Sequence, residues 1–398
     1  MVITGLDGDH KRMPAPVARL IAFYLPQFFP IPENDRWWGP GFTEWTNVAK
    51  ARPLFRGHWQ PHIPADLGFY DLRVPETRIA QARMAREAGV EGFCYWHYWF
   101  GAGRRILERP FNEVLATGEP DFPFCLAWAN QSWTGIWHGL SHQTLIEQTY
   151  PGRQDEEDHF TWCLGAFNDP RYMRVEGRPV FVVFAPHDLP STAEFAAHWR
   201  ALAERAGLPG LFLVAISNAF EPGVDIYRHP IYAPFDAVTP LTPQDYLDGP
   251  GRLQNRTLRR RLRELSFGRF DRLKLGWLKR PQRIDYADVV AHALDGMPAE
   301  DRFVPSVLPN WDNTPRSSHR GVVYEGATPA LFGEYLAKAL RHVEQRPPER
   351  RLVFLKAWNE WAEGNYVEPD TRWGHAYLDA IRQVMRPGEP RAHQSDLG

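Results

Sequence analysis

Short apolar runs recur along this chain, and most are followed by a segment with the 3.6-residue period of an amphipathic helix. The runs are residues 17–25, 90–99, 122–130, 179–185, 211–217, 237–241, 303–308 and 352–355. The intervening helical patterns cover 75–88, 104–117, 156–167, 192–206, 286–294, 330–344 and 377–385. In the first of these, Ile79, Ala82 and Ala85 share a face and Gly89 supplies a stop. The apolar runs are continuous rather than alternating, as expected of strands buried on both faces of a parallel sheet. Eight of them predict an α/β protein with a closed (β/α)8 TIM barrel rather than an open doubly wound sheet.

The same pattern predicts the domain organisation. Residues 1–16 read as a loose tail, 17–385 as one domain with insertions, and 386–398 as a polar tail. Two insertions interrupt the repeat. Residues 28–70 form a long aromatic loop, and a loop of that length in a compact domain is usually functional. Residues 249–283 carry twelve Arg or Lys against Glu264 and Asp271, with leucines interleaved. That stretch reads either as a solvated helical face or as a peripheral contact to anionic lipid or glycan.

Composition narrows the chemistry. A net charge of −2 over 398 residues argues against nucleic acid as a partner. The chain holds 16 Trp, 14 Tyr and 24 Phe, and rings with a polar tip suit ligands that are apolar on one face and wet on the other, such as sugars. Cys94, Cys125 and Cys163 offer neither a disulfide framework nor metal-ligand spacing. His58/His62 and His138/His142 have i,i+4 spacing without an HExxH pattern, so no metal and no cofactor are expected. No phosphate loop, dinucleotide fingerprint or nucleophile elbow is present. With no secretory signal and no long uncharged apolar run, the reading is cytoplasmic.

Polar and aromatic residues collect where the predicted strands stop, the end of a barrel strand at which catalytic groups sit. Strand 1 offers Tyr24 and Gln27, with Trp45 in the loop beyond. Strand 2 offers Tyr95, His97 and Tyr98, and strand 3 offers Trp128, Asn130 and Trp133. Strand 7 runs into Trp311 and Asp312, and strand 8 into Asn359, Glu360, Trp361, Glu363 and Tyr366. His97 alone reads more often as a satisfied core histidine; with Tyr95 and Tyr98 beside it, ligand contact is an equal reading. Glu360 and Glu363 are three apart with Gly364 next, so a bend there would turn both toward one pocket. Paired carboxylates are the working parts of most glycosidases; the alternative is two solvated loop acids.

Five stretches taken together carry a family resemblance: FYLPQFFPIPENDRWWGPGFTEWTN from Phe23, FCYWHYWF from Phe93, FCLAWANQSWT from Phe124, PNWDNTP from Pro309 and WNEWAEGNYVEPDTRWGHAYL from Trp358. The chain resembles the WbsX-like, glycoside hydrolase family 99-like domain over about residues 17–385. That resemblance implies a retaining hydrolase of α-linked, mannoside-like sugars in an oligosaccharide or polysaccharide. By implication, Glu360 takes the proton of the sugar 2-hydroxyl, whose oxygen closes a 1,2-anhydro ring, and Glu363 protonates the leaving group. Gln131-Ser132-Trp133-Thr134 departs from the relatives' third-strand motif, which carries an acid and arginines in this region. Two other readings are a glycosyltransferase of O-antigen or capsule assembly and a non-catalytic carbohydrate-binding protein.

Overall fold

A computed structural model describes residues 17–135, 144–217, 227–241 and 280–387. Eight parallel strands form the centre: β1 (Arg19–Tyr24), β2 (Gly92–His97), β3 (Phe124–Trp128), β4 (Arg178–Val183), β5 (Phe212–Ser217), β6 (Ala237–Pro240), β7 (Ser306–Val307) and β8 (Leu352–Leu355). They pair in the order β7-β8-β1-β2-β3-β4-β5-β6. The ring is brought round to closure by a parallel bridge between Val238 of β6 and Phe303, just ahead of β7. The fold is therefore a (β/α)8 barrel.

The flanking helices are α1 (Pro75–Ala88), α2 (Arg109–Thr117), α3 (Arg153–Phe167), α4 (Thr192–Arg205), α5 (Tyr286–His292), α6 (Pro329–Val343) and α7 (Ala376–Met385). α1 stops at Gly89 in a left-handed conformation, as its sequence predicts. α2 begins at Arg109, later than the periodicity suggests, because Pro110 suits only the first turn of a helix. β7 is shorter than its apolar run; Phe303 contributes only the closing bridge. The 28–70 insertion is not structureless: it contains short helices at Pro32–Trp38 and Glu44–Lys50. The basic insertion lies outside the described residues up to position 279, as do 1–16 and 388–398. No helix among the described residues is long and apolar enough to cross a membrane.

The pleat decides which side chains reach the barrel interior, because successive residues face opposite sides. Ile21 pairs with Phe354, Phe23 with Cys94, and Cys94 with Cys125. These positions face inward, and Phe354, Phe23 and Trp96 form a continuous stack with centroid separations of 5.2 and 4.9 Å. The opposite parity faces the helices. There Tyr24 packs on Tyr95 and Phe93, and its hydroxyl donates to Gln81 of α1 at 2.6 Å. The three cysteines are buried and free.

Candidate active site

A cavity of about 290 Å³ opens at the C-terminal ends of the barrel strands. Its inward-facing base follows from the pleat. Leu25, Trp96, Ala129, Phe184 and Leu241 each lie two residues beyond an inward-facing position of β1, β2, β3, β4 or β6, and Lys356 does the same beyond β8.

After Lys356 the chain makes a small antiparallel hairpin. Asn359–Glu360 pairs with Asn365–Tyr366, and Trp361–Glu363 form a single 3-10 turn between them. Gly364 closes the turn at φ +68°, where a Cβ would stand 2.8 Å from the backbone nitrogen of Asp312. Only glycine combines that dihedral with that approach. The turn brings Glu360 and Glu363 to the same cavity.

Three carboxylates and two cations meet there. Arg316 donates from Nε to Glu44 Oε1 at 2.7 Å, from Nη1 to Glu363 Oε1 at 2.5 Å, and from Nη2 to Glu360 Oε2 at 3.3 Å. Lys356 Nζ donates to Glu363 Oε2 at 3.2 Å and stands 3.9 Å from Glu360 Oε1. Asn365 adds a longer contact to Glu363 at 3.4 Å. Burial raises the Glu360 carboxyl above its usual range, and Glu363's charge reinforces the shift against the pull of Lys356 and Arg316. Burial also works against ionised Glu363, but Lys356 and Arg316 outweigh it and hold that carboxyl down at about 2. The two acids therefore differ in proton affinity: a shared proton resides on Glu360.

Of the residues singled out from sequence, Gln27, Tyr98, Trp133, Trp311, Glu360 and Glu363 line this cavity. Asp312 and Tyr366 face a smaller neighbouring cavity of about 170 Å³. Asp312 is occupied as a loop clamp: Oδ2 accepts from His58 and Gln60, both at 2.7 Å, and Oδ1 from the Thr314 amide and hydroxyl. Tyr366 donates to Asp370 and lies flat on Trp361, with centroids 3.7 Å apart.

The remaining eight residues do not line the cavity. Tyr24, Tyr95, His97, Trp128 and Asn130 have the outward parity of their strands. His97 meets His159 of α3 at 2.6 Å between the two Nε2 atoms, and Trp128 donates to the Trp99 carbonyl. Asn130 exchanges hydrogen bonds with the backbone of Ala185. Asn359 does the same with Leu25. Trp45 donates to the Tyr70 carbonyl and Trp361 to buried Glu368. His97, His159 and Cys163 lie within 4.8 Å of one another. The imidazole nitrogens are closer than the roughly 3.3 Å expected of two nitrogens on one tetrahedral ion, and we read them as a hydrogen-bonded pair.

Glu44, Arg316 and Lys356 were not singled out from sequence. Glu44 opens the short helix Glu44–Lys50 and Arg316 lies in the short helix Thr314–Ser317, 272 residues apart in the chain. Lys356 had a sequence signal: it is the one charge between Leu352 and Trp358, in an otherwise apolar strand exit.

Comparison with known proteins agrees with this architecture. The family model described as "Glycosyltransferase WbsX" matches residues 20–381. The chain belongs to the WbsX family. Two strains of Xanthomonas campestris pv. campestris each have a relative, the uncharacterised protein WxcX, that is 40% identical over 370 residues. The match covers 92% of this chain but 50% of the relative, so the chain spans about half the length of the curated relatives it matches. A solved glycoside hydrolase-like protein superposes with a TM-score of 0.55 at 13% identity, covering 94% of this chain and 95% of its own. A family 99 endo-α-mannosidase from Bacteroides thetaiotaomicron superposes at 0.50 and 14% identity, covering 92% and 95%. At that identity the likeness is one of fold. The family is thus WbsX, and the fold is one shared with solved glycoside hydrolases.

Proposed function

We propose that the chain hydrolyses an α-linked, mannoside-like sugar of an oligosaccharide or polysaccharide with retention, through Glu360 and Glu363. The observation that carries this reading is the hairpin after β8, which brings both carboxylates into one aromatic-lined cavity at the catalytic end of the barrel. Trp38, Trp133 and Trp311 line that cavity and supply rings for sugar faces.

In the proposed sequence Glu360 removes the 2-hydroxyl proton and that oxygen attacks the anomeric carbon. The glycosidic bond breaks, and its oxygen takes a proton from Glu363. Water then opens the 1,2-anhydro ring at the anomeric carbon and gives its proton to Glu363, while Glu360 returns the first proton to the 2-oxygen. Both carboxyls end as they began. The sequence needs the proton on Glu363 at the start, whereas the Arg316 and Lys356 contacts favour Glu360. Arg316 must therefore loosen from Glu363 as the sugar seats, which makes it the residue that times the acid.

The family name favours a second reading, transfer of a sugar from an activated donor. Incubation of the protein with α-linked oligosaccharides in ¹⁸O-water, without nucleotide sugar, separates the two. One ¹⁸O at a new reducing end, lost in Glu360→Gln and Glu363→Gln, is the hydrolytic outcome. Product formed only with an added sugar donor, and without ¹⁸O, would replace hydrolysis by transfer. Full turnover in either variant would remove the carboxylate pair from the chemistry.

A further inference from the structure

Glu44 is the acid of the cavity that the proposed chemistry does not use. It opens the short helix Glu44–Lys50, and only 2% of its side chain is exposed. Two contacts hold it beside the glutamate pair. Its amide donates to the Gln27 carbonyl at 3.0 Å. The next residue, Trp45, packs on Trp361 of the hairpin with ring centroids 5.4 Å apart.

The charges around the pair do not balance. Among the described residues, three carboxylates (Glu44, Glu360 and Glu363) lie within ion-pair distance of two cations, Arg316 and Lys356. All five side chains are at most 13% exposed, so water and salt screen them little. One negative charge is left over, and in a covered site a proton on one of the acids compensates it. Glu44 also divides the guanidinium of Arg316. Nε goes to Glu44 at 2.7 Å, and only the two Nη groups reach the pair. Without Glu44, two cations would face two carboxylates, a balanced set in which both acids ionise. Burial does most to raise the Glu360 carboxyl, and the charge on Glu44 pushes the same way. The other groups that sense Glu44 are Lys50, exposed on the same helix, and Tyr98 beyond β2.

We infer that Glu44 is a positioning residue: as the third carboxylate on Arg316, it keeps on the Glu360–Glu363 pair the one proton that the leaving group needs. The Nε–Glu44 bond also leaves Arg316 a partner as its Nη1 loosens from Glu363. The use of that proton rests on the hydrolytic reading. Its retention does not, and the test keeps the two apart.

Glu44→Gln keeps an oxygen for Arg316 Nε and removes the charge. A ¹³C NMR titration of the glutamate carboxyls, without sugar, follows the pair in this variant and in the unmodified protein. The upper of the pair's two titration steps should fall by about 1 unit. The alkaline limb of kcat/KM on α-linked oligosaccharides should fall with it, because that limb marks loss of the last proton. Glu44→Asp restores the charge and should return both toward their original positions, which a purely structural role would not do. Glu44→Ser, with room for water in place of the carboxylate, repeats the measurement should Glu44→Gln fold poorly. An unmoved upper step with cleavage intact would overturn the role of Glu44 and leave hydrolysis standing. A lowered step in a protein that cleaves none of the oligosaccharides would do the reverse. An unmoved step without cleavage would overturn both.

Discussion

Arg316 Nη1 lies 2.5 Å from Glu363 Oε1, and the same guanidinium also reaches Glu44 and Glu360. One side chain thus ties three buried acids together. Because Glu363 is held at about 2, below its ordinary 4.5, the stabilisation it contributes is present above about pH 4.5 and is lost as pH falls toward 2. Arg316→Met should raise the Glu363 pKa by about 1–3 units. A ¹³C NMR titration of the glutamate carboxyls reads this directly. With the proposed roles, the acidic limb of kcat/KM, which reports the lower pKa of the pair, moves upward. Arg316→Lys should show a smaller shift, since a point charge cannot reach three partners in one plane. An unchanged titration would remove Arg316 from this role.

Glu368 is buried behind the pair and accepts four hydrogen bonds. Oε1 accepts from Gln81 and Trp358, and Oε2 from Tyr70 and Trp361. Burial raises its carboxyl to about 7 despite these four donors. A folded pKa above the unfolded 4.5 favours the folded state below pH 4.5, and that advantage is lost as pH rises through 7. The difference is worth on the order of 3 kcal/mol. Glu368→Gln should flatten stability between pH 5 and 8, at a cost of about 2–3 kcal/mol because its amide cannot accept from all four donors. Denaturant unfolding at several pH values checks both parts. A wild-type stability curve that does not fall over that range would refute the assignment.

Gly364→Ala would place a Cβ 2.8 Å from the Asp312 nitrogen and 2.9 Å from its Cβ, at a backbone φ of +68°. The expected cost is about 1–3 kcal/mol, with loss of catalysis as Glu363 moves off its partners. Retained activity and an unchanged melting temperature would show that the turn tolerates a side chain.

Asp312 distinguishes a loop clamp from a sugar ligand. His58 Nδ1 accepts from the Leu54 amide, so its Nε2 carries the proton given to Asp312. Asp312→Ala strands the donors of His58, Gln60 and Thr314 and should destabilise the protein by roughly 2–4 kcal/mol. A direct substrate ligand would instead raise KM with little change in melting temperature. Unfolding and steady-state kinetics on the same variant decide between them.

The apolar runs determined the barrel, because strands buried on both faces must be continuously apolar whichever neighbour they pair with. The motif around Glu360-Trp361-Ala362-Glu363-Gly364 likewise contained the turn that brings two acids to one side, since Gly364 readily takes the left-handed conformation at which the chain bends. Sequence could not give the parity of each strand. His97 and Tyr98 are adjacent and both polar at a strand end, yet one is packed against α3 and the other lines the cavity. A period of two assigns side chains to faces only once one residue's face is known, and pairing fixed that through Phe23, Cys94 and Phe354. The clamp was beyond reach for a second reason. Glu44 and Arg316 are separated by 272 positions, and their meeting is a property of loops folding over a barrel mouth. Local pattern carries the elements; only closure of the barrel decided which charges would face one another.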